Sequence, residues 1–400
     1  MGIKKNFNRK RVKILIIGFI AVLAITAVIF IIARLQIDKI EEPAQVEEEE
    51  IGEYIPPRSM LYQEYEEVSV SELISQGRER EEIIPEMVVD DKAYISSLSR
   101  GNDSIYYYST ASKNFIEYDL LTGNGKPIFT DAKIDFENIY EIEWSPTEEN
   151  KAIIRNDDGY HLMDFSTNKT TSLNVDIIGA KWSPNGQKIV YQYISLIDNV
   201  DNIAIADPDG SNWRNIASIS LNELDYVGGR LDLAWSPDGR NILYTYPATS
   251  LDNGDIYSVN IDTGETKILA SYGQVFGYFF SPNGNKVLYS SIAEGVPQVW
   301  VMDNDGSDKK YTGMENIVTK CVWRKNNIGI ICAVSNNIYS FDGELSDDII
   351  VEYNIENERS RQLTSRDPEN ILDVSNLMIN NEDNVLYFTN YNGNIDSINL

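Results

Sequence analysis

Alternating apolar and polar positions punctuated by turn signals predict an all-β protein: a β-propeller of about seven four-stranded blades, preceded by one N-terminal transmembrane helix. Three observations carry this. A short cassette of aromatic, Ser, Pro, Asn or Asp, and Gly recurs along the chain. From residue 88 onward no long amphipathic helical pattern interrupts the alternation. Residues 14–33 form an uncharged, mostly Ile, Leu, Val, Ala and Phe run.

The cassette reads Trp182-Ser183-Pro184-Asn185-Gly186, Trp235-Ser236-Pro237-Asp238-Gly239 and Phe280-Ser281-Pro282-Asn283-Gly284, with Tyr191, Tyr244 and Tyr289 nine residues after each aromatic. The aromatic ends one strand and fills the space between sheets. Pro fixes φ, Asn or Asp tolerates the tight turn, and Gly supplies φ > 0, so the next strand returns antiparallel. Trp144-Ser145-Pro146 is a fourth copy, with Ile153 at the ninth position. Weaker copies start at Leu98, Trp323 and Met378 and lead to Tyr107, Cys332 and Tyr387. Second hairpin signals follow at Thr122-Gly123, Asp207-Pro208-Asp209-Gly210, Asp262-Thr263-Gly264 and Asp303-Asn304-Asp305-Gly306. Two hairpins per unit, at spacings of roughly 40–55 residues, are the signature of propeller blades. The last unit ends one strand short at Ile398-Asn399-Leu400, so residues 83–89 are expected to supply its outer strand and cover the edge.

This cassette resembles the TolB-type propeller repeat, also found in the propeller domains of prolyl-oligopeptidase-family peptidases. The resemblance covers about residues 88–400 and departs from the pattern in blades one, six and seven. It implies the fold and a binding habit, without naming a ligand.

Four segments follow: a basic tail (1–13), a transmembrane signal anchor (14–34), an acidic stalk (35–82) and the propeller (83–400). Twenty helical residues span roughly 30 Å, the thickness of the hydrocarbon core. Lys4, Lys5, Arg9, Lys10, Arg11 and Lys13 precede the run, which places the N-terminus in the cytoplasm and the rest outside. A cleaved signal peptide is the alternative, though its apolar region is shorter and exits through small residues. The tail is expected to carry no enzyme. Glu47–Glu50 and Pro56-Pro57 mark the stalk as extended and charged, with one short helix over Ser69–Gln76.

Residues 1–34 hold seven of the 34 Lys and Arg and none of the 62 Asp and Glu, so the remainder is more acidic than the net −28 of the chain. Such a field repels phosphate backbones, which excludes a nucleic-acid reader. One histidine, His161, cannot supply a multi-His metal site, and it reads as a structural strand residue. No G-x-S-x-G elbow occurs. The expectation is a non-enzyme without cofactor or metal site; the alternatives are a carboxylate-dependent carbohydrate-active hydrolase, which needs only paired acids, and an extracytoplasmic sensor. The Asp207/Asp209 and Asp303/Asp305 loops read as β-turns, with calcium as the lesser possibility. Cys321 and Cys332 fall on neighbouring strands of one hairpin, where two buried free thiols are expected, a cross-strand disulfide being the alternative.

In a four-stranded blade the first and third connections share one face, the second and fourth the other. The cassette turns and D-x-D-G turns belong to the first face. The second collects longer connections: Ser195–Asn202, Asn222–Gly229, Pro247–Gly254, Ala293–Pro297 and Asp342–Asp348. Long loops on a rigid scaffold are where binding is built, and Tyr and Arg are favoured anchors. Tyr193, Asp198, Asp201, Tyr226, Arg230, Tyr246 and Asp252 are therefore the candidate binding residues, for a protein or cell-wall polymer outside the membrane.

Overall fold

A computed structural model describes residues 83–129, 138–174, 176–195, 200–220, 230–245, 254–271, 274–293, 295–335, 346–366 and 371–400. The expected tail, anchor, stalk and stalk helix lie outside these residues. The chain divides into two compact units, Met1–Ser69 and Val70–Leu400, and every described residue belongs to the second. Among the described residues no helix is long and apolar enough to cross a membrane.

The described strands form seven four-stranded antiparallel sheets. A single strand, β1 (Glu86–Val89), precedes them. Blade one is β2 (Ala93–Leu98), β3 (Ser104–Ser109), β4 (Asn114–Asp119) and β5 (Asn124–Pro127). Blade two is β6 (Glu141–Trp144), β7 (Lys151–Asn156), β8 (Gly159–Asp164) and β9 (Lys169–Ser172). Blade three is β10 (Ile177–Trp182), β11 (Ile189–Ser195), β12 (Val200–Ala206) and β13 (Arg214–Ser220). Blade four is β14 (Asp232–Trp235), β15 (Asn241–Thr245), β16 (Ile256–Asn260) and β17 (Thr266–Ala270). Blade five is β18 (Gln274–Phe280), β19 (Lys286–Ala293), β20 (Val296–Asp303) and β21 (Lys310–Glu315). Blade six is β22 (Cys321–Trp323), β23 (Gly329–Val334), β24 (Ile349–Asn354) and β25 (Arg359–Gln362). Blade seven is β26 (Ser375–Ile379), β27 (Val385–Thr389) and β28 (Ile395–Asn399), completed by β1 on its outer edge.

The core is divided into seven clusters, one between each pair of neighbouring blades, and one of these joins Met378 and Ile395 of blade seven to Ile105 and Tyr107 of blade one. The ring is therefore closed. First strands of neighbouring blades touch one another, as β6 and β10 do and as β26 and β2 do, so they surround the central channel. The outer strand β5 is exposed along its whole length.

The cassette works as a hydrogen-bonded turn. The N–H groups of Gly186, Gly239 and Gly284 donate to the carbonyls of Ser183, Ser236 and Ser281 at 2.8 Å, and these glycines stand at φ 66, 72 and 75°. The serine hydroxyl donates to the Asn185, Asp238 or Asn283 side chain and accepts the N–H of the residue that reopens the strand pairing. Tryptophan indoles then tie blades together. Trp144 Nε1 donates to the Ile95 carbonyl (3.0 Å), Trp182 to Glu143 (2.8 Å) and Trp235 to Lys181 (3.3 Å). Buried Trp323 Nε1 has no partner among the described residues, which forgoes about 1–3 kcal/mol.

The weaker cassettes keep the turn but replace its glycine. Asn102, Asn327 and Asp383 take the left-handed position at φ 56, 63 and 58°. Each side chain there bridges to a neighbouring blade's turn. Asn327 Oδ1 accepts the Asn283 N–H (2.7 Å), Asp383 Oδ1 accepts Arg324 Nε (2.9 Å), and Asn102 Nδ2 donates to Glu382 (2.8 Å). Asn and Asp tolerate αL better than other non-Gly residues, so backbone ease is exchanged for inter-blade links.

Closure by the N-terminal segment is as expected: Glu86 pairs with Ser397 and Met87 with Asp396. Tyr118 OH donates to the Val88 carbonyl (2.8 Å), and Asp91 accepts from Tyr107 and Ser109 hydroxyls (3.1 and 2.9 Å). As a fourth strand, β1 runs from the turn face toward the long-loop face, so the chain enters the propeller from the turn face.

Four expectations are corrected. Cys321 and Cys332 form a disulfide, not two free thiols; they sit directly opposite in the β22–β23 pairing. Alternation placed both in the core but could not tell a bonded pair from two small buried hydrophobes. In blade two the turn carries one extra residue, so Trp144 pairs with Ala152 and Ile154, not Ile153, is the counterpart of Tyr191. In blade seven Ile379, not Met378, holds the anchor position, pairing with Leu386 seven residues on as Trp182 pairs with Ile189. Ala293–Pro297 is no long loop, because Ala293 already pairs with Val296 around Gly295 at φ 85°.

Candidate functional site: the long-loop mouth of the channel

Residues three places before each anchor lie toward the long-loop end of the first strands, whereas residues one place before it, such as Phe279, Val322 and Met378, pack against the cores between blades. At the third place blades two, four and six carry Glu141, Asp232 and Lys320, whereas blades one, three, five and seven carry Ile95, Gly179, Gly277 and Asn376 at φ 43, 65, 73 and 46°. A β-bulge accompanies each of these four. From blade one to blade seven, backbone kinks and charged residues alternate, and the two kinked blades seven and one are neighbours.

Arg230, just ahead of β14, makes the longest reach. Its guanidinium passes blade three and forms an ion pair with Glu141 of blade two. The route crosses Gly179, where an added Cβ would lie 3.3 Å from Arg230 Nε. Tyr160 completes the arrangement: its hydroxyl donates to Glu141 Oε2 (2.9 Å) and accepts the Gly179 N–H (2.8 Å). Burial, with Glu141 adding to it, pushes the Tyr160 phenol up to about 12, so it stays protonated. Two residues further along the first strands, Lys181 of blade three pairs with Glu143 of blade two. Burial opposes the Lys181 charge, yet Glu143 and then Asp232 hold its pKa above the usual value. Burial raises the Asp232 carboxyl, with Lys181 and Arg230 drawing it back.

A second cluster lies across the ring. Lys320 Nζ donates to Ser346 Oγ and Asp348 Oδ2 (both 2.8 Å) and to Asp373 Oδ1 (3.2 Å). Asp348 also accepts the Val374 N–H (2.7 Å), and its side chain is fully buried. Burial raises its pKa, and Lys320 only partly restores the charged form. Both clusters hold fixed, paired charges at one mouth, an arrangement suited to recognising a polar partner surface.

The candidate residues fare differently. Arg230 joins Glu141 and Tyr160 at the mouth. Tyr193 is half-buried against the core of blades two and three, 6.4 Å between ring centroids from the exposed Trp213. Asp201 lies in β12, 1% exposed; burial raises its pKa against a hydrogen bond from Gln192, and Oδ1 has no partner among the described residues. Asp198, Tyr226, Tyr246 and Asp252 lie outside the described residues. Glu141, Lys181, Asp232 and Lys320 were not anticipated, although a charge one or three places before a tryptophan anchor was a visible signal.

His161 is buried in β8, its ring nitrogens meeting Ser172 Oγ (3.2 Å) and Asn156 Oδ1 (3.0 Å), and burial lowers its pKa. The two Asp-rich loops are tight turns. Asp207 accepts from Lys188 Nζ (2.6 Å), Asp303 pairs with Lys286 (2.7 Å), and Asp209 and Asp305 accept the N–H groups of Ser211 and Ser307 (2.9 Å). Among the described residues no three His, Cys, Asp or Glu side chains are grouped to hold a metal.

The ring of seven four-stranded blades and its Ser-Pro-Asx-Gly turns define a seven-bladed β-propeller. Residues 118–399 match the TolB beta propeller domain, and the chain belongs to that family. An uncharacterized protein of Agrobacterium fabrum is 38% identical over 74 residues, 18% of this chain and 25% of that protein. The Tol-Pal system protein TolB of Anaeromyxobacter dehalogenans is 28% identical over 120 residues, 29% of this chain and 25% of the relative. The chain thus spans a quarter of the length of these curated relatives. Among solved structures, an oligogalacturonate lyase from Vibrio parahaemolyticus aligns with TM-score 0.58 at 12% identity, covering 79% of this chain and 91% of that one. The Cps50 (Swd1) β-propeller domain of Myceliophteria thermophila aligns with TM-score 0.54 at 12% identity, covering 79% and 100%. At such identities these likenesses establish the fold alone.

Proposed function

We propose that this chain is a membrane-anchored, extracytoplasmic propeller that binds a protein partner, without catalysis, through the long-loop mouth of its channel. The observation that carries the reading is the Arg230–Glu141–Tyr160 arrangement. Three blades are made to meet at one charged surface, at the mouth where the longest connections also emerge. Membership of the TolB propeller family and the relative named as a Tol-Pal system protein support a protein as the partner. The apolar run at residues 14–33, with basic residues ahead of it, supports the anchor. The Cys321–Cys332 disulfide accords with folding in an oxidising compartment.

The test is partner affinity in paired variants. Tyr226→Ala and Tyr246→Ala should each weaken binding by about 1–3 kcal/mol, and Arg230→Ala should do the same. Asp238→Ala and Asp305→Ala on the turn face should leave affinity unchanged. Loss of binding in the turn-face variants alone would reject the assignment.

A further inference from the structure

A cavity of about 740 Å³ lies on the opposite face, between the turns of blades one and two. Its size falls within the range of small-molecule sites, roughly 300–1,000 Å³. Two departures from the repeat open it. The blade-two turn, Ser145 to Asn150, is one residue longer than its counterparts and lacks the glycine of blades three to five, and the outer strand β5, paired with β4 on one edge, is exposed along its length. The floor is aromatic: Tyr106 and Phe165 line the cleft, and beneath them Trp144 lies 5.9 Å from Tyr106 and 5.7 Å from Phe165 between ring centroids.

The walls are polar and of both signs. Glu117 on β4 pairs with Lys126 on β5 (3.0 Å). Across the cleft Glu149 accepts the Arg100 N–H (2.5 Å), and the Arg100 guanidinium donates to the Thr147 carbonyl (3.1 Å). Mixed carboxylates and cations disfavour a ligand carrying net charge of either sign. An extended peptide adding to the sheet is disfavoured too, because Pro127 sits on the edge strand and lacks the N–H that such pairing needs. What fits is a neutral polyhydroxylated ligand, with an apolar C–H face for the aromatic floor and hydroxyls that both donate to carboxylates and accept from Lys and Arg.

We infer that the cleft between blades one and two is a binding site for a neutral saccharide chain, independent of the protein site on the other face. The test is titration calorimetry of the full chain in detergent with chitohexaose and cellohexaose, and with hexagalacturonate and hexalysine as charged controls. At least one neutral hexasaccharide should bind, and both charged probes should bind at least tenfold more weakly. Lys126→Ala, at an exposed position, and Glu149→Gln should each reduce that affinity fivefold or more with the melting temperature held within a few degrees. Absence of binding by both neutral probes at millimolar concentration would overturn the inference. So would unchanged affinity in both variants, or a charged probe that binds as well as the neutral ones.

Discussion

Asp383 of blade seven accepts two hydrogen bonds at one oxygen from the preceding blade, from Arg324 Nε at 2.9 Å and from the Lys325 backbone N–H at 3.0 Å. Arg324 also donates to the Asp383 carbonyl (2.6 Å) and to Glu352 (2.7 Å). Blade six thus lacks the serine of the regular cassette because an arginine at that place joins two blades. Asp383→Ala removes a charged acceptor from a mostly buried guanidinium and should cost about 2–3 kcal/mol. Denaturant unfolding of the full chain in detergent is the check. Asp383→Gly relieves the positive φ yet loses the same bonds, so it should also destabilise; a stabilised glycine variant would reject the inter-blade role.

Gly179 gives Arg230 its path to Glu141. Gly179→Ala meets both the φ of 65° and the 3.3 Å approach to Arg230 Nε. The left-handed backbone alone costs roughly 1–2 kcal/mol for a residue with a Cβ. Partner affinity should fall along with stability, because Arg230 is displaced. Arg230→Ala combined with Gly179→Ala should then cost less than the sum of the single changes.

The disulfide fastens the shortest first strand, β22, whose three residues follow a 3₁₀ turn at Val318–Lys320. Replacing both cysteines with serine should lower stability by about 2–4 kcal/mol. Thiol titration of the unfolded, unreduced protein should find no free thiol, and two free thiols would contradict the bond.

Asp201 and Asp348 both have carboxyls raised by burial. A raised folded pKa means that the contribution to stability is fully present below the unfolded carboxylate pKa and is lost as pH rises through the folded one. Asp201→Asn, which keeps the Gln192 contact open and removes a buried charge, should therefore raise the melting temperature at pH 7. The gain should shrink toward zero as pH falls through the ordinary carboxylate range. A variant less stable than the parent at pH 7 would show that the charge is needed.

Much of this architecture was legible because local chemistry repeats. Ser-Pro-Asx-Gly forms its turn from its own side chains, so each copy announces a hairpin, and the missing last strand pointed to residues 83–89. The anchors of blades two and seven slipped by one residue, because an extra turn residue in one and an aliphatic anchor in the other removed the register mark. The mouth was legible only in part. Arg230 and Glu141 are 89 residues apart, and no local pattern pairs them. Asp201 looked like a loop acid because strand pairing reaches up to Ser195 and Val200 and encloses it. Cys321 and Cys332 were placed on the right strands, but their bond depends on a register that alternation alone does not fix.

The claim that the long-loop mouth receives the partner is tested most directly by site-specific photocrosslinking on intact cells. A benzophenone side chain is placed in turn at positions 226 and 246, and at Asp238 and Asp305 on the turn face. The account predicts one protein adduct of the same mass from positions 226 and 246, lost when Arg230 is replaced by alanine, and no such adduct from positions 238 and 305. An adduct formed from the turn-face positions, with none from the long-loop positions, would contradict it.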